Sequence, residues 1–208
     1  MNEWYCCLLC EGSSDAALTN VLELLLTRLT SEPASVSARL DLKGSVQDKL
    51  VALQKYDAGL YDLVFVHRDA DNAGLQARQD EIKRAVDSVQ DAAITLVVPV
   101  VPVTMTETWA LASLFGDPDC RAWLRREASV SEKTLETYRD PKDLLRRLLS
   151  RDDPDGKLLP NGVFSVQRAR ILAELDTADG SALSRLTAWT ALNKALVDAV
   201  ARARPWLS

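Results

Sequence analysis

Twice in this sequence a short apolar run ends in an acidic turn and then gives way to helical spacing. The first run, Trp4 to Cys10, leads into Cys10-Glu11-Gly12-Ser13-Ser14-Asp15. The second, Leu63 to Val66, leads into His67-Arg68-Asp69-Ala70-Asp71-Asn72. Apolar runs without alternation read as strands covered on both faces. A repeated strand–helix order implies parallel pairing with right-handed crossovers. If the two runs are neighbours in one sheet, both acidic turns emerge at the same edge. That edge, just outside the carboxyl ends of the strands, is where open α/β sheets bind ligands.

The rest of the first half fits the same scheme. Gly12 can make the exit turn, and Ser13, Ser14 and Asp15 are good caps for a helix reaching Leu29. Alternation from Val36 to Leu42 predicts a half-buried or edge strand. Ser45 caps a helix through Val46, Leu50 and Leu53. A further helix is expected from about Gly74 to Val89 and a buried strand from Ile94 to Val101, with Thr106 capping a helix through Trp109, Leu111 and Leu114. From Asp117 onward only helical patterns remain: Asp119–Glu127, Pro141–Ser150, Val166–Leu175 and Ser181–Ala203, with a loop over residues 151–156. The expected class is α/β: a mostly parallel central sheet flanked by helices, residues 1–116, with a helical C-terminal part, residues 117–208, packed on it.

Glu11, Asp15, Asp69 and Asp71 would repel one another at one sheet edge unless a cation held them. Their hard oxygens suit Mg²⁺ or Mn²⁺ and not zinc. In extended backbone Asp69 and Asp71 face the same way, so both could reach one ion, and two ions could clamp the attacking and leaving oxygens of a phosphodiester. Glu107, after the next strand, is a candidate to complete the cluster. The same acids would serve as helix caps and turn formers if no ion binds. His67, the only histidine, is either a phosphate or proton partner or a structural ring. Arg68 is either a phosphate clamp or a partner for the acids. Arg146, Arg147, Arg151, Arg168 and Arg170 form either a phosphate-contacting rim or solvated helix faces. Trp109 and Trp189 read as core.

The net charge of −5 is unevenly placed: residues 1–104 hold 9 Lys/Arg against 15 Asp/Glu, residues 105–208 hold 16 against 15. That counts against tight binding to bare duplex DNA, though a metal-bridged phosphate remains compatible. Cys7 and Cys10 have the gap of a zinc half-site but point to opposite faces of a strand, and no second Cys/His pair exists; buried thiols in a reducing compartment are expected. No apolar run approaches the roughly 20 residues of a membrane span. Glu3 precedes the first run with no basic segment, unlike a secretory signal, and a cytoplasmic location is expected.

The order Glu11-Gly12-x-x-Asp15, then Asp69-x-Asp71 after a later strand, resembles the TOPRIM domain, the metal-dependent α/β domain of topoisomerases, primases and overcoming-lysogenization-defect nucleases. Cys10-Glu11-Gly12 with Asp15, Val66-His67-Arg68-Asp69-Ala70-Asp71, the stretch Pro102 to Leu111, Asp140-Pro141-Lys142 and the helix from Arg168 to Leu175 are similar to one bacterial branch often encoded beside an ATPase and linked to phage defence. The resemblance implies an Mg²⁺-dependent nuclease acting on DNA or RNA with an ATPase protein partner. Glu11 would be general acid/base or metal ligand, Asp69 and Asp71 metal ligands, and Asp15 and Glu107 further acidic positions. The alternative is a catalytically silent TOPRIM-fold docking subunit of an ATPase complex. A receiver- or phosphatase-type phosphotransfer domain fits less well, because Ala73 stands where the phosphatase motif has Thr or Val.

Overall fold

The computed structural model describes residues 3–89 and 96–207. Four strands, β1 (Trp4–Leu9), β2 (Ala34–Ala38), β3 (Leu63–His67) and β4 (Leu96–Val100), form one sheet in the order β2-β1-β3-β4. Every pairing is parallel, and β1 and β3 are direct neighbours, with Cys6 opposite Leu63 and Leu9 opposite Val66. Ile94 and Thr95, expected to open β4, lie outside the described residues.

Side-chain alternation along the strands divides the core in two. Trp4, Cys6, Leu8, Leu63, Phe65, Val98 and Val100 join the larger cluster. There they meet α1 (Leu18–Thr30), α4 (Thr106–Leu114), α5 (Pro118–Ala128), α6 (Pro141–Leu149), α7 (Asn161–Ala173) and α8 (Thr187–Ala203). Cys7, Leu9, Val64 and Val66 join the smaller cluster beneath α2 (Val46–Asp57) and α3 (Leu75–Ser88). The C-terminal helices therefore share one core with the sheet. In α6 the buried Leu144, Leu145 and Leu148 are each fully covered, contributing about 1.5–3 kcal/mol apiece.

The connection after β1 runs to one edge of the sheet, and those after β2 and β3 carry the chain to the other. The direction reverses between β1 and β3, which makes their carboxyl ends the topological switch point where this architecture opens a crevice.

Several boundaries differ from the sequence pattern for identifiable reasons. Ser13–Asp15 form a 3₁₀ turn, and α1 begins at Leu18. Gly12 is extended, with φ −137°, a conformation any residue adopts, so the exit turn does not depend on glycine. β2 stops at Ala38; Leu40 is exposed, and Leu42 packs against the smaller cluster instead of continuing a strand. Ser45 does cap α2, in a capping box with Asp48. Thr106 does not cap α4. It is the helix's first residue, behind Met105, which supplies no side-chain cap. α7 starts at Asn161, earlier than its apolar periodicity suggests, because its first turn includes the exposed Gly162 and Val163.

Candidate functional site

The structure brings Asp15, Asp69, Glu107 and His67 together at the β1/β3 switch point. Asp69 caps α4 from another loop: its Oδ1 accepts the N–H of Thr106 at 3.1 Å. A carboxylate at a helix N-terminus satisfies an orphan donor and is favoured by the helix dipole. Asp15 is buried at 7% exposure and its Oδ1 accepts from the Thr106 hydroxyl at 3.3 Å. Glu107, in the first turn of α4, is also buried.

His67 ends β3 on the side of Leu63 and Phe65, and is only 1% exposed. Its Nε2 is 3.3 Å from Asp69 Oδ1 and its Nδ1 3.9 Å from Asp15 Oδ2, yet neither nitrogen makes a hydrogen bond among the described residues. Buried polar atoms are rarely left so.

Arg168 completes the cluster. Its Nε donates to Glu107 Oε1 at 2.8 Å, Nη2 to Asp15 Oδ1 at 2.8 Å and to the Thr106 hydroxyl, and Nη1 to the Ser14 carbonyl at 2.9 Å. Burial opposes its charge, but Glu107 and Asp15 outweigh that, and its pKa stands above the usual arginine value. Of the two readings of the other arginines, a phosphate-contacting rim is not the one seen. Arg146 donates to the Leu159 carbonyl, Arg147 pairs with Asp143, Arg151 lies beside Cys120 and Asp152, and Arg170 is exposed beside Glu174. The signal for Arg168 was present: Phe164, Arg168 and Leu172 are buried at a spacing of four, so one arginine falls on the apolar stripe of its helix.

The resulting crevice has a volume of about 350 Å³. Asp15, Asp69 and Glu107 line one side, and Lys142, Asn161, Phe164, Ser165 and Arg168 supply a C-terminal wall, of which Asn161, Phe164 and Ser165 lie outside the motifs. A larger groove of about 830 Å³ between α1 and α8 includes Leu25, Arg28 and Trp189. It gathers no comparable set of acids, so the smaller crevice is the candidate site.

The four-carboxylate cluster expected from the sequence is not what assembles. Glu11 is exposed, and its carboxylate pairs with Arg68, whose Nε lies 3.3 Å from Glu81 Oε1. Arg68 is thus a partner for acids at the rim. Asp71 is exposed and adopts left-handed backbone, φ 44°. The extended geometry that would aim it with Asp69 is absent, because the chain turns back at Ala70, whose carbonyl accepts from Ala73 and Gly74. The Asp71 N–H donates to the carbonyl of Thr104, itself left-handed at φ 64°. For a β-branched residue that conformation is strained, and such strain gathers at functional sites. Among the described residues no group of three or more His, Cys, Asp or Glu side chains forms a metal-ion cage.

The ends of the strands are held by less conspicuous groups. Lys49 is buried and donates to the Cys10 carbonyl at 2.7 Å; burial draws its pKa below the usual lysine value. Burial pushes the Cys6 and Cys7 thiols up to about 12 and Cys10 up to about 11. All four cysteines are free and buried.

No family model, curated protein or solved structure matches this chain. The fold and site define an open α/β protein with an acidic switch-point crevice, and the TOPRIM resemblance rests on the motifs alone.

Proposed function

We propose that the chain is a divalent-cation-dependent nuclease of TOPRIM type, hydrolysing phosphodiesters of DNA or RNA in the bacterial cytoplasm beside an ATPase partner in a phage-defence system. The observation that supports this reading is the convergence of Asp15 and Asp69, from two different strand ends, on the buried ring of His67, whose nitrogens make no hydrogen bond among the described residues. The donor set fits magnesium or manganese. Asp15 Oδ2 and Asp69 Oδ2 accept no hydrogen bond among the described residues, and Mg²⁺ usually takes one or two carboxylates, leaving its other positions to water and substrate phosphate. A bound ion would stabilise charge on the phosphate and acidify a coordinated water. The Thr106 N–H fixes the Asp69 carboxylate, and His67 lies between the two aspartates. Lys142, exposed at the mouth, is placed to meet substrate phosphate. Glu107 acts through Arg168. No helix among the described residues is long and apolar enough to cross a membrane, in keeping with a chain that works without one.

The experiment is cleavage of plasmid, single-stranded DNA and tRNA in Mg²⁺ or Mn²⁺ against chelator, beside Asp69→Asn. The expected result is metal-dependent cutting that the substitution removes; cutting that survives it contradicts the site. A second reading, a silent docking subunit of an ATPase complex, is favoured by one observation: Arg168 already neutralises Asp15 and Glu107. That reading predicts neither cleavage nor cation binding, with or without the ATPase.

A further inference from the structure

Arg168 does something unusual for a residue of a C-terminal helix. It enters a strand-end crevice at 6% exposure and meets two carboxylates, Asp15 and Glu107, which are themselves 7% and 4% exposed. Replacing buried ion pairs by apolar side chains of similar volume is often neutral or stabilising, so stability alone does not account for this one. The charge count is also unbalanced. Asp15, Asp69 and Glu107 bring three carboxylates to the crevice, against the buried Arg168 and the exposed Lys142 at its mouth. A second feature lies beside it: His67 is buried between Asp15 and Asp69, and neither ring nitrogen makes a hydrogen bond among the described residues.

We propose that Arg168 is an exchangeable internal cation, seated on Asp15 and Glu107 in the unloaded crevice and released toward the substrate phosphate when a divalent ion takes Asp15 and Asp69. This inference rests on the nuclease reading and adds its regulation. An arginine suits both stations, because its planar fork pairs equally with carboxylate and phosphate oxygens. All four of its partners, Ser14, Asp15, Thr106 and Glu107, lie on the loop after β1 or at the start of α4, so its departure changes the loops that position the acids. Metal loading and phosphate grip are thereby coupled through one side chain. The guanidinium, on Asp15 Oδ1, already neutralises the carboxylate whose Oδ2 the ion would take, so removing the guanidinium strengthens ion binding.

The test uses the full chain and Mn²⁺ alone, with binding read by calorimetry and by the free-Mn²⁺ electron paramagnetic resonance signal. Arg168→Gln is expected to bind Mn²⁺ at least tenfold more tightly than the unmodified chain. It should melt lower in chelator, and Mn²⁺ should raise its melting temperature more than that of the unmodified chain. Arg168→Lys should return the affinity toward the original value. A folded Arg168→Gln chain that binds Mn²⁺ no more tightly than the unmodified one overturns the inference. If Arg168→Gln does not fold, the Arg168 Nε–H resonance of the unmodified chain decides. It should shift and exchange faster at saturating Mg²⁺, and an unchanged signal overturns the inference. Metal-dependent cleavage with unchanged Arg168→Gln affinity removes only this inference. Absence of Mn²⁺ binding in every variant removes the nuclease reading as well.

Discussion

Trp189→Ala tests whether the C-terminal helices and the sheet form one cooperative unit. Trp189 opens α8 and is 3% exposed; its ring meets that of Trp109 in α4 edge to face, centroids 5.1 Å apart at 90°. Trp109 is itself fully buried, in the cluster that also holds Val98 and Val100 of β4. Truncating a buried tryptophan to alanine costs about 3–5 kcal/mol. The edge-to-face pair contributes about 0.5–1.5 kcal/mol beyond simple burial, which places this site toward the upper end. For a chain of this size each kcal/mol lowers the melting temperature by about 2–4 °C, so the expected fall is about 6–20 °C. The assay is thermal unfolding followed by far-UV circular dichroism and by tryptophan fluorescence. A single coincident transition, shifted by that amount, is the expected result. A shift below about 2 °C would refute the reasoning. So would two separate transitions with the sheet's transition unmoved.

Other outcomes follow from particular contacts. Asp69→Asn keeps an oxygen able to cap α4, so it should change the melting temperature little while removing metal-dependent cleavage; a large loss of stability would mean that Asp69 is structural. Native protein at pH 8 should resist thiol reagents at Cys6, Cys7 and Cys10, whose pKa values lie at about 12, 12 and 11; rapid modification before unfolding contradicts their burial. The Asp48 carboxylate, held by the Ser45 N–H and hydroxyl, has a pKa below the usual aspartate value. Its contribution is therefore present at neutral pH and lost as pH falls through that lowered value. The stability gap between the unmodified chain and Asp48→Ala should accordingly close below about pH 4; a gap that widens in acid contradicts the capping box. Residues 1–116 expressed alone should not fold, since they lack the α6, α7 and α8 side chains that cover Val98, Val100 and Trp109; a cooperative melt of that fragment refutes this.

Much of the fold was legible because its signals are local. The unbroken apolar run Trp4 to Leu9 and the buried Leu63 to His67 gave two central strands, and their acidic exits gave the sheet edge that carries the crevice. Asp15, Asp69 and Glu107 lie at that edge for the same reason. Glu11 and Asp71 were misplaced by assuming extended backbone and freely convergent side chains. A rim arginine takes the first, and a left-handed turn removes the second. Arg168 was misread because a helix face cannot show which distant carboxylates will cover it. Its pairing with Asp15 spans most of the chain, and only the packing of α7 against the loop after β1 creates it. The strand expected to continue to Leu42 failed because alternation alone does not tell an edge strand from a loop whose apolar residue is covered from elsewhere.

The most direct test of the central claim is anomalous scattering from a crystal soaked in Mn²⁺. The account predicts a peak in the β1/β3 crevice, bonded at about 2 Å to oxygens of both Asp15 and Asp69, with the Arg168 guanidinium moved off Asp15. An empty crevice with Arg168 still paired to Asp15, or a peak held by Glu11 and Asp71 instead, would contradict it.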